Sequence, residues 1–463
     1  MLKTFGNIFK IPDLKKKVFF TLFILVIYRL GCHVPVPFID TEAMTDFWTN
    51  QMGGQGVFNI IDMFSGRAFR QMTVFALGIM PYITASIIIQ LLMVVWPYLE
   101  KIAKEGEIGQ KKINQYTRYG TVVIALFQSF GLSLFMLKMG LTTMAGNKFL
   151  FIIITMISMT TGTTLIMWLG EKITEKGIGN GISIIIAVSI ISNYPYDVAA
   201  TWDLLTQGEL RPLWVVVVLA LFVGLSVLII MIHEGARRIP IQHAKRIVGR
   251  KVVSGSTTYL PLKVNQAGVI PVIFSSAILT FPGIILSILG VGGSGFFSEL
   301  NSFFQMNSNK NLYRLFGFEM EGVILLLRSV NVYTMLYAGL TIFFCYFYTA
   351  ITFNPIDTAE NLKKYGAFIP GRRPGKPTSD YIDFVLTRIT LVGALFLVSI
   401  AVLPMILNIS YRVPGVLTDL IGGVGLIIVV DVFLDTMKQV ESHLVMRHYE
   451  GFSVRKRGRS GRW

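Results

Sequence analysis

The sequence predicts an all-α membrane protein that crosses the bilayer ten times, with both termini on one side. Two observations carry this reading. Hydrophobic residues fill 53% of the 463 positions and charged residues only 15%, whereas a soluble chain carries roughly 25% charge. The apolar residues come in blocks of about 20, enough to span a hydrocarbon core of ~30 Å, where a β-barrel would show alternating segments of about ten. The cations are also sorted. Of 42 Lys and Arg, 31 fall in one alternating set of inter-span segments and nine in the other. The richer set, which includes both termini, is expected to be cytoplasmic. The net charge of +16 therefore largely reflects topology.

Spans are expected near residues 18–34, 72–96, 119–139, 150–169, 182–198, 213–232, 268–290, 327–353, 389–408 and 415–437. The first follows Lys15, Lys16 and Lys17 and lacks a small-x-small cleavage site, so it reads as a retained span. The second contains "IMPYITASIII", in which Ile79, Ile83 and Ile87 recur every fourth residue on one helical face. Pro81 predicts a bend in that span. The fifth has a short apolar run, Ile182 to Ile191, which predicts that it faces protein or water more than lipid. The eighth is longer than a span requires, which leaves its start open. Cys32 and Cys345 read as small buried hydrophobes. Ten spans divide into halves of five, 1–201 and 202–463, and an odd number per half implies inverted topology with the working site where the halves meet.

Two cytoplasmic loops, 233–267 and 354–382, are long and basic. In "RIVGRKVV" β-branched and basic residues alternate, which predicts a structured hairpin projecting from the membrane. On the residues alone, both loops are either ordinary positive-inside connections or docking surfaces whose arginines suit phosphate or carboxylate.

Several apparent motifs fail. "GRRPGKPT" (371–378) has the wrong spacing for a phosphate loop and no preceding strand, and "GIGNG" (177–181) opens a span instead of closing a strand. The five histidines at 33, 233, 243, 443 and 448 give no metal-ligand spacing beyond His443 and His448, which belong to the basic tail 438–463. No catalytic constellation appears, so neither an enzyme nor a cofactor is expected. Ionisable residues within spans reduce to Asp431 and Asp435, with Arg29 and Arg328 near span ends. A coupled transporter usually needs several, so a secondary transporter for a small solute stands only as the alternative. Asp435 is expected to be solvated. Residues 428, 431 and 435 share one broad helical face. Asp431 is therefore expected to border a cytoplasmic funnel or pair with a polar neighbour, and not to face lipid.

The runs "FALGIMPYITASIIIQLL" (75–92), "EGEIGQKKINQYTRYGT" (105–121), "GEKITEKGIGNGISIII" (170–186), "LPLKVNQAGVIPVIF" (260–274) and "NLKKYGAFIPGRRPGKPT" (361–378) resemble the bacterial SecY family. These proteins are the channel subunits of the general protein-secretion translocase. The resemblance covers nearly the whole chain. It implies two inverted five-helix halves around a central hourglass pore, through which unfolded preproteins cross the cytoplasmic membrane and transmembrane segments leave sideways.

By this resemblance the constriction is a ring of Ile79, Ile83, Ile182, Ile186, Ile273 and Ile428. Apolar side chains there offer a sliding chain no hydrogen bonds and exclude hydrated ions by dewetting. The resemblance also implies a plug, "FNIIDMFSGRAFR" (58–70), with Ile60, Ile61 and Phe64 on one face. A lateral gate is implied between spans two and three and spans seven and eight, softened by Pro81 and Pro271 and held by Gln128 and Asn265. Lys245, Arg246, Arg250, Lys251, Arg372 and Arg373 match docking positions for a SecA motor ATPase and for ribosomal RNA. The further implied partners are SecE-type and SecG-type small membrane subunits, signal sequences and nascent chains, and membrane lipid. No cofactor or metal is implied.

Overall fold

A computed structural model describes residues 11–47, 57–144, 146–243, 246–248, 251–253, 257–289, 332–411 and 413–457. The N-terminal part runs α1 (Pro12–Gly31), α2 (Thr41–Phe47), α3 (Val57–Ser65), α4 (Met80–Val95), α5 (Pro97–Ala103), α6 (Glu107–Met139), α7 (Lys148–Lys176), α8 (Gly181–Ile191) and α9 (Tyr194–Thr206). Next come α10 (Pro212–Glu234), strands β1 (Ala236–His243), β2 (Arg246–Val248), β3 (Lys251–Val253) and β4 (Thr257–Lys263), then α11 (Ile270–Leu289). The chain ends with α12 (Val332–Thr352), α13 (Pro355–Lys364), β5 (Ala367–Phe368), α14 (Lys376–Tyr411), α15 (Gly415–Ile421) and α16 (Gly423–Arg457).

A helix stands at each of the ten expected spans. Among the described residues seven helical segments are long and apolar enough to cross a membrane, or eight if the bent pair α4–α5 is one span. The first and seventh positions are filled by α1, whose lysines dilute its apolar run, and α11. The lipid-facing character is plainest in α10, whose most apolar window is only 11% buried. Leu213, Val216, Leu219, Val223 and Val227 stand exposed along it, as expected where the solvent is hydrocarbon. The expected half boundary at 201/202 falls inside α9, and the chain turns into α10 over 207–211.

The second span departs from expectation. Helix α4 begins only at Met80, and the preceding stretch 66–79 is a largely buried, non-helical coil of turns. Pro81 therefore sits in the first turn, where its missing N–H costs nothing, and opens the helix without bending it. Pro271 holds the same place in α11. Neither proline softens the middle of a gate helix. The sharp bend lies instead between α4 and α5, 105° at Trp96. Trp96 is extended (φ −106°, ψ 108°), the conformation that a following proline imposes.

The fifth span behaves as its short run predicted. Ile184, Ile185, Ile186, Ala187, Ser189 and Ile190 of α8 are buried, and the Asn180 side chain caps its start. It packs so closely on α7 that a Cβ at Gly181 would lie 1.9 Å from the Gly170 carbonyl oxygen. Cys32 and Cys345 are free and buried.

In the first basic loop β1 pairs antiparallel with β4, from Ala236↔Lys263 to Gln242↔Thr257. Beyond them β2 pairs with β3, so the expected hairpin is present. The other edge of β1 takes β5 through Gln242↔Phe368 and His243↔Ala367. The two basic loops therefore form one unit, closed over a small core of Ile239, Leu262, Ile369, Ile382 and Val385.

Candidate functional site

The largest buried cluster draws residues from α1, α3, α4, α7, α8, α10, α11, α12, α14 and α16. It contains five of the six expected ring residues: Ile79 (2% exposed), Ile83 (5%), Ile186 (2%), Ile273 (8%) and Ile428 (0%). The sixth, Ile182, is partly buried against the same cluster. Segments far apart in sequence thus bring these isoleucines into one apolar cluster, together with Phe, Tyr, Leu, Met and Val side chains. Helix α16 reaches it by close approach: a Cβ at Gly425 would lie 3.0 Å from Ile190 of α8 and 3.5 Å from Met63 of α3.

The expected plug is enclosed. Ile61, Asp62, Phe64, Ser65, Ala68, Phe69, Met72 and Thr73 are all buried. Phe64 joins the central cluster, while Ile61 joins a second one with Leu77, Leu132 and Phe135. The Ile60 side chain lies outside the described residues.

A set of polar contacts fastens this segment. Asp62, buried, forms an ion pair with Arg70 at 2.7 Å and accepts a hydrogen bond from the Arg70 backbone N–H at 3.1 Å. Arg29 of α1 donates to the Gly66 carbonyl at 2.8 Å and to Ser192 Oγ at 3.1 Å. Arg67 pairs with Asp197 of α9 at 3.0 Å and lies 4.2 Å over the Tyr196 ring. Downstream, Val36 N–H donates to Met72 O and Val74 N–H to Val34 O, so residues 34–36 grip the segment as a short extended partner.

At the expected gate, Gln128 of α6 lines a cavity of about 20 Å³ with Ile61, Leu77, Met80, Thr84, Leu132, Ala277 and Thr280. That is room for about one water, between α3, α4, α6 and α11. Asn265 is buried elsewhere. It lies where Gly393 of α14 packs on Val264 and Asn265, and it is not among the residues that line that cavity.

Asp431 is buried, at 2%, and does not face lipid. Its partner is His233 at the end of α10, 4% exposed, whose Nδ1 lies against Asp431 Oδ1. His233 Nε2 is 3.5 Å from Asp435, whose side chain is 66% exposed as expected.

Residues 73–437 match the SecY family model. The chain belongs to the SecY family. It is 44% identical over 462 residues to the protein translocase subunit SecY of Streptomyces coelicolor, covering 98% of this chain and 100% of that one. It is 44% identical over 445 residues to SecY of Escherichia coli K12, covering 95% and 93%. In fold it is similar to a solved protein-conducting channel, with TM-score 0.61, 17% identity and 93% of each chain covered. It is also similar to Sec61 in the canine ribosome–channel complex from the endoplasmic reticulum, with TM-score 0.58, 16% identity and 93% of each chain covered.

As a SecY-family chain it is a multi-pass membrane protein. Of the expected docking residues, Arg372 and Arg373 are exposed on the turn after β5. Arg372 lies 5.1 Å over the Tyr381 ring, and Thr378 Oγ1 donates to the Arg373 carbonyl at 2.8 Å, which shapes the turn. Arg246 and Lys251 lie on β2 and β3, with side chains outside the described residues, as Lys245 and Arg250 are altogether.

Sequence reasoning missed His233. It took the histidines only as possible metal ligands, although this one ends an apolar span three residues before a basic strand. It also missed Arg29 as a clasp on the Gly66 carbonyl.

Proposed function

We propose that this chain is the protein-conducting subunit of a Sec-type translocase, passing unfolded preproteins across the cytoplasmic membrane and releasing apolar segments sideways into lipid. The observation that carries this reading is that Ile79, Ile83, Ile186, Ile273 and Ile428 all fall in one buried apolar cluster with Ile182 packed against it, a cluster that Phe64, Ala68 and Phe75 of the enclosed segment also join. In this reading Ile79, Ile83, Ile182, Ile186, Ile273 and Ile428 form a gasket. Hydrated ions cannot shed water against it, while an extended chain slides past without hydrogen-bonding to it. The plug rests on it until a signal sequence parts α4 and α6 from α11 and α12 at the cavity lined by Gln128. The halves, 1–201 and 202–463, would open about that seam.

The channel has no catalytic activity of its own; energy comes from a partner. The joined basic loops are the docking surface, with Arg372 and Arg373 beside the hairpin that carries Lys245, Arg246, Arg250 and Lys251. They would receive a SecA motor ATPase or ribosomal RNA phosphates. The ribosome-bound channel in the canine complex, similar in fold, is compatible with this docking. SecE-type and SecG-type subunits would cover part of the lipid-facing surface, and the cation distribution supports cytoplasmic termini.

The test is reconstitution of the chain with its small subunits in proteoliposomes, supplied with a motor ATPase, ATP and a signal-bearing preprotein. Protease-protected preprotein is expected inside. Full digestion despite intact, motor-binding complexes would contradict the reading.

A further inference from the structure

We propose that His233 is a positioning residue for the pore ring. Through Asp431 it fixes Ile428 against the root of the cytoplasmic hairpin, so that load on the hairpin is felt at the seal. This rests on the channel reading above.

Three elements converge on the pair. His233 is the penultimate residue of α10, and β1 starts three residues later at Ala236. Asp431 lies three residues, most of one helical turn, after Ile428 on α16. The third element is the lead into α11. Gly268, at φ +63°, comes so close that a Cβ there would sit 3.4 Å from Asp431 Oδ2. Five residues on, α11 carries Ile273, a second ring residue. One buried contact therefore ties the sheet root to two helices of the central cluster.

Packing alone does not require it. Two buried ionisable groups are costly to desolvate, and apolar residues of similar size usually hold helices together as well or better. What the pair adds is direction: it fixes the rotation of α16 and thus the side on which Ile428 points.

Resting ion conductance in planar bilayers and thermal melting of the intact complex, measured together, test the proposal. His233→Leu and Asp431→Leu should each raise resting conductance at least about fivefold, the scale of coupling between contacting residues. His233→Gln keeps a donor for Asp431 and should stay silent. The double variant His233→Leu/Asp431→Leu should melt at or above the wild-type temperature, yet still leak.

That split separates positioning from stability. A double variant that regains both stability and seal overturns the proposal, and so does a His233→Gln channel as leaky as His233→Leu. If the single variants fail to assemble, the double and glutamine variants carry the test. Ile428→Asn is run in parallel. If it is silent, the ring reading itself fails; if it leaks while the pair variants are silent, only this inference fails.

Discussion

Arg67 holds a left-handed backbone (φ +69°) that a non-glycine residue adopts at a cost. Its guanidinium is held by Asp197 and Tyr196. The turn after α3 is thus strained and clamped to α9 from outside. Asp197→Ala would leave a half-buried cation without its partner, a loss of about 1–3 kcal/mol. If segment 58–70 is the proposed plug, it should seat less firmly, with brief openings in single-channel recordings where the wild type is quiet. Unchanged silence would make the contact incidental.

Gly162 acts by size alone. A Cβ there would meet the Val74 carbonyl oxygen at 2.0 Å, and backbone cannot swing aside. Gly162→Val should destabilise by roughly 1–3 kcal/mol, as overpacking does, read as a lower melting temperature. The sequence showed glycine in an apolar helix; that residues 66–79 fold back onto it was not visible, because the apolar run from Met72 reads as helix.

Among the elements, the hairpin was legible and its attachment was not. The alternation in "RIVGRKVV" announced strands, and β2 and β3 stand there. Strand β5, two residues long, leaves no periodic signal, yet it makes one platform of two loops by pairing residues as far apart in sequence as Gln242 and Phe368. Leu262, fully buried in the platform core, supports both. Leu262→Asp should open both loops to limited proteolysis while the spans stay protected; cleavage in only one loop would argue against a single unit. Arg373→Glu leaves that core intact and should abolish motor-driven translocation without harming membrane insertion. Preprotein transport at the normal rate would remove the docking role. Pro81 carries the converse lesson. Its bend was inferred from an apolar stretch taken to be helical throughout, but the helix starts beside it, where proline is at home.

For the whole molecule, the helices at the expected span positions followed from apolar blocks, because a bilayer leaves a chain few ways to satisfy its backbone, and cation placement gives the orientation expected of them. Long-range pairing did not follow, since nothing local links position 233 with 431. The ring lies between. Isoleucines four apart on spans two and five marked faces, but the resemblance to SecY chains was needed to nominate those faces, and the fold gathers them into one cluster. The central claim is that this cluster is the seal.

The most direct measurement is planar-bilayer conductance of the intact complex carrying Ile83→Asn or Ile428→Asn, with no partner bound. An unpaired amide buried there costs a few kcal/mol and offers water a foothold. Both variants are expected to pass ions at rest and to admit preproteins with defective signal sequences, whereas the wild type stays closed. Wild-type silence from both would contradict the account and remove these residues from the seal.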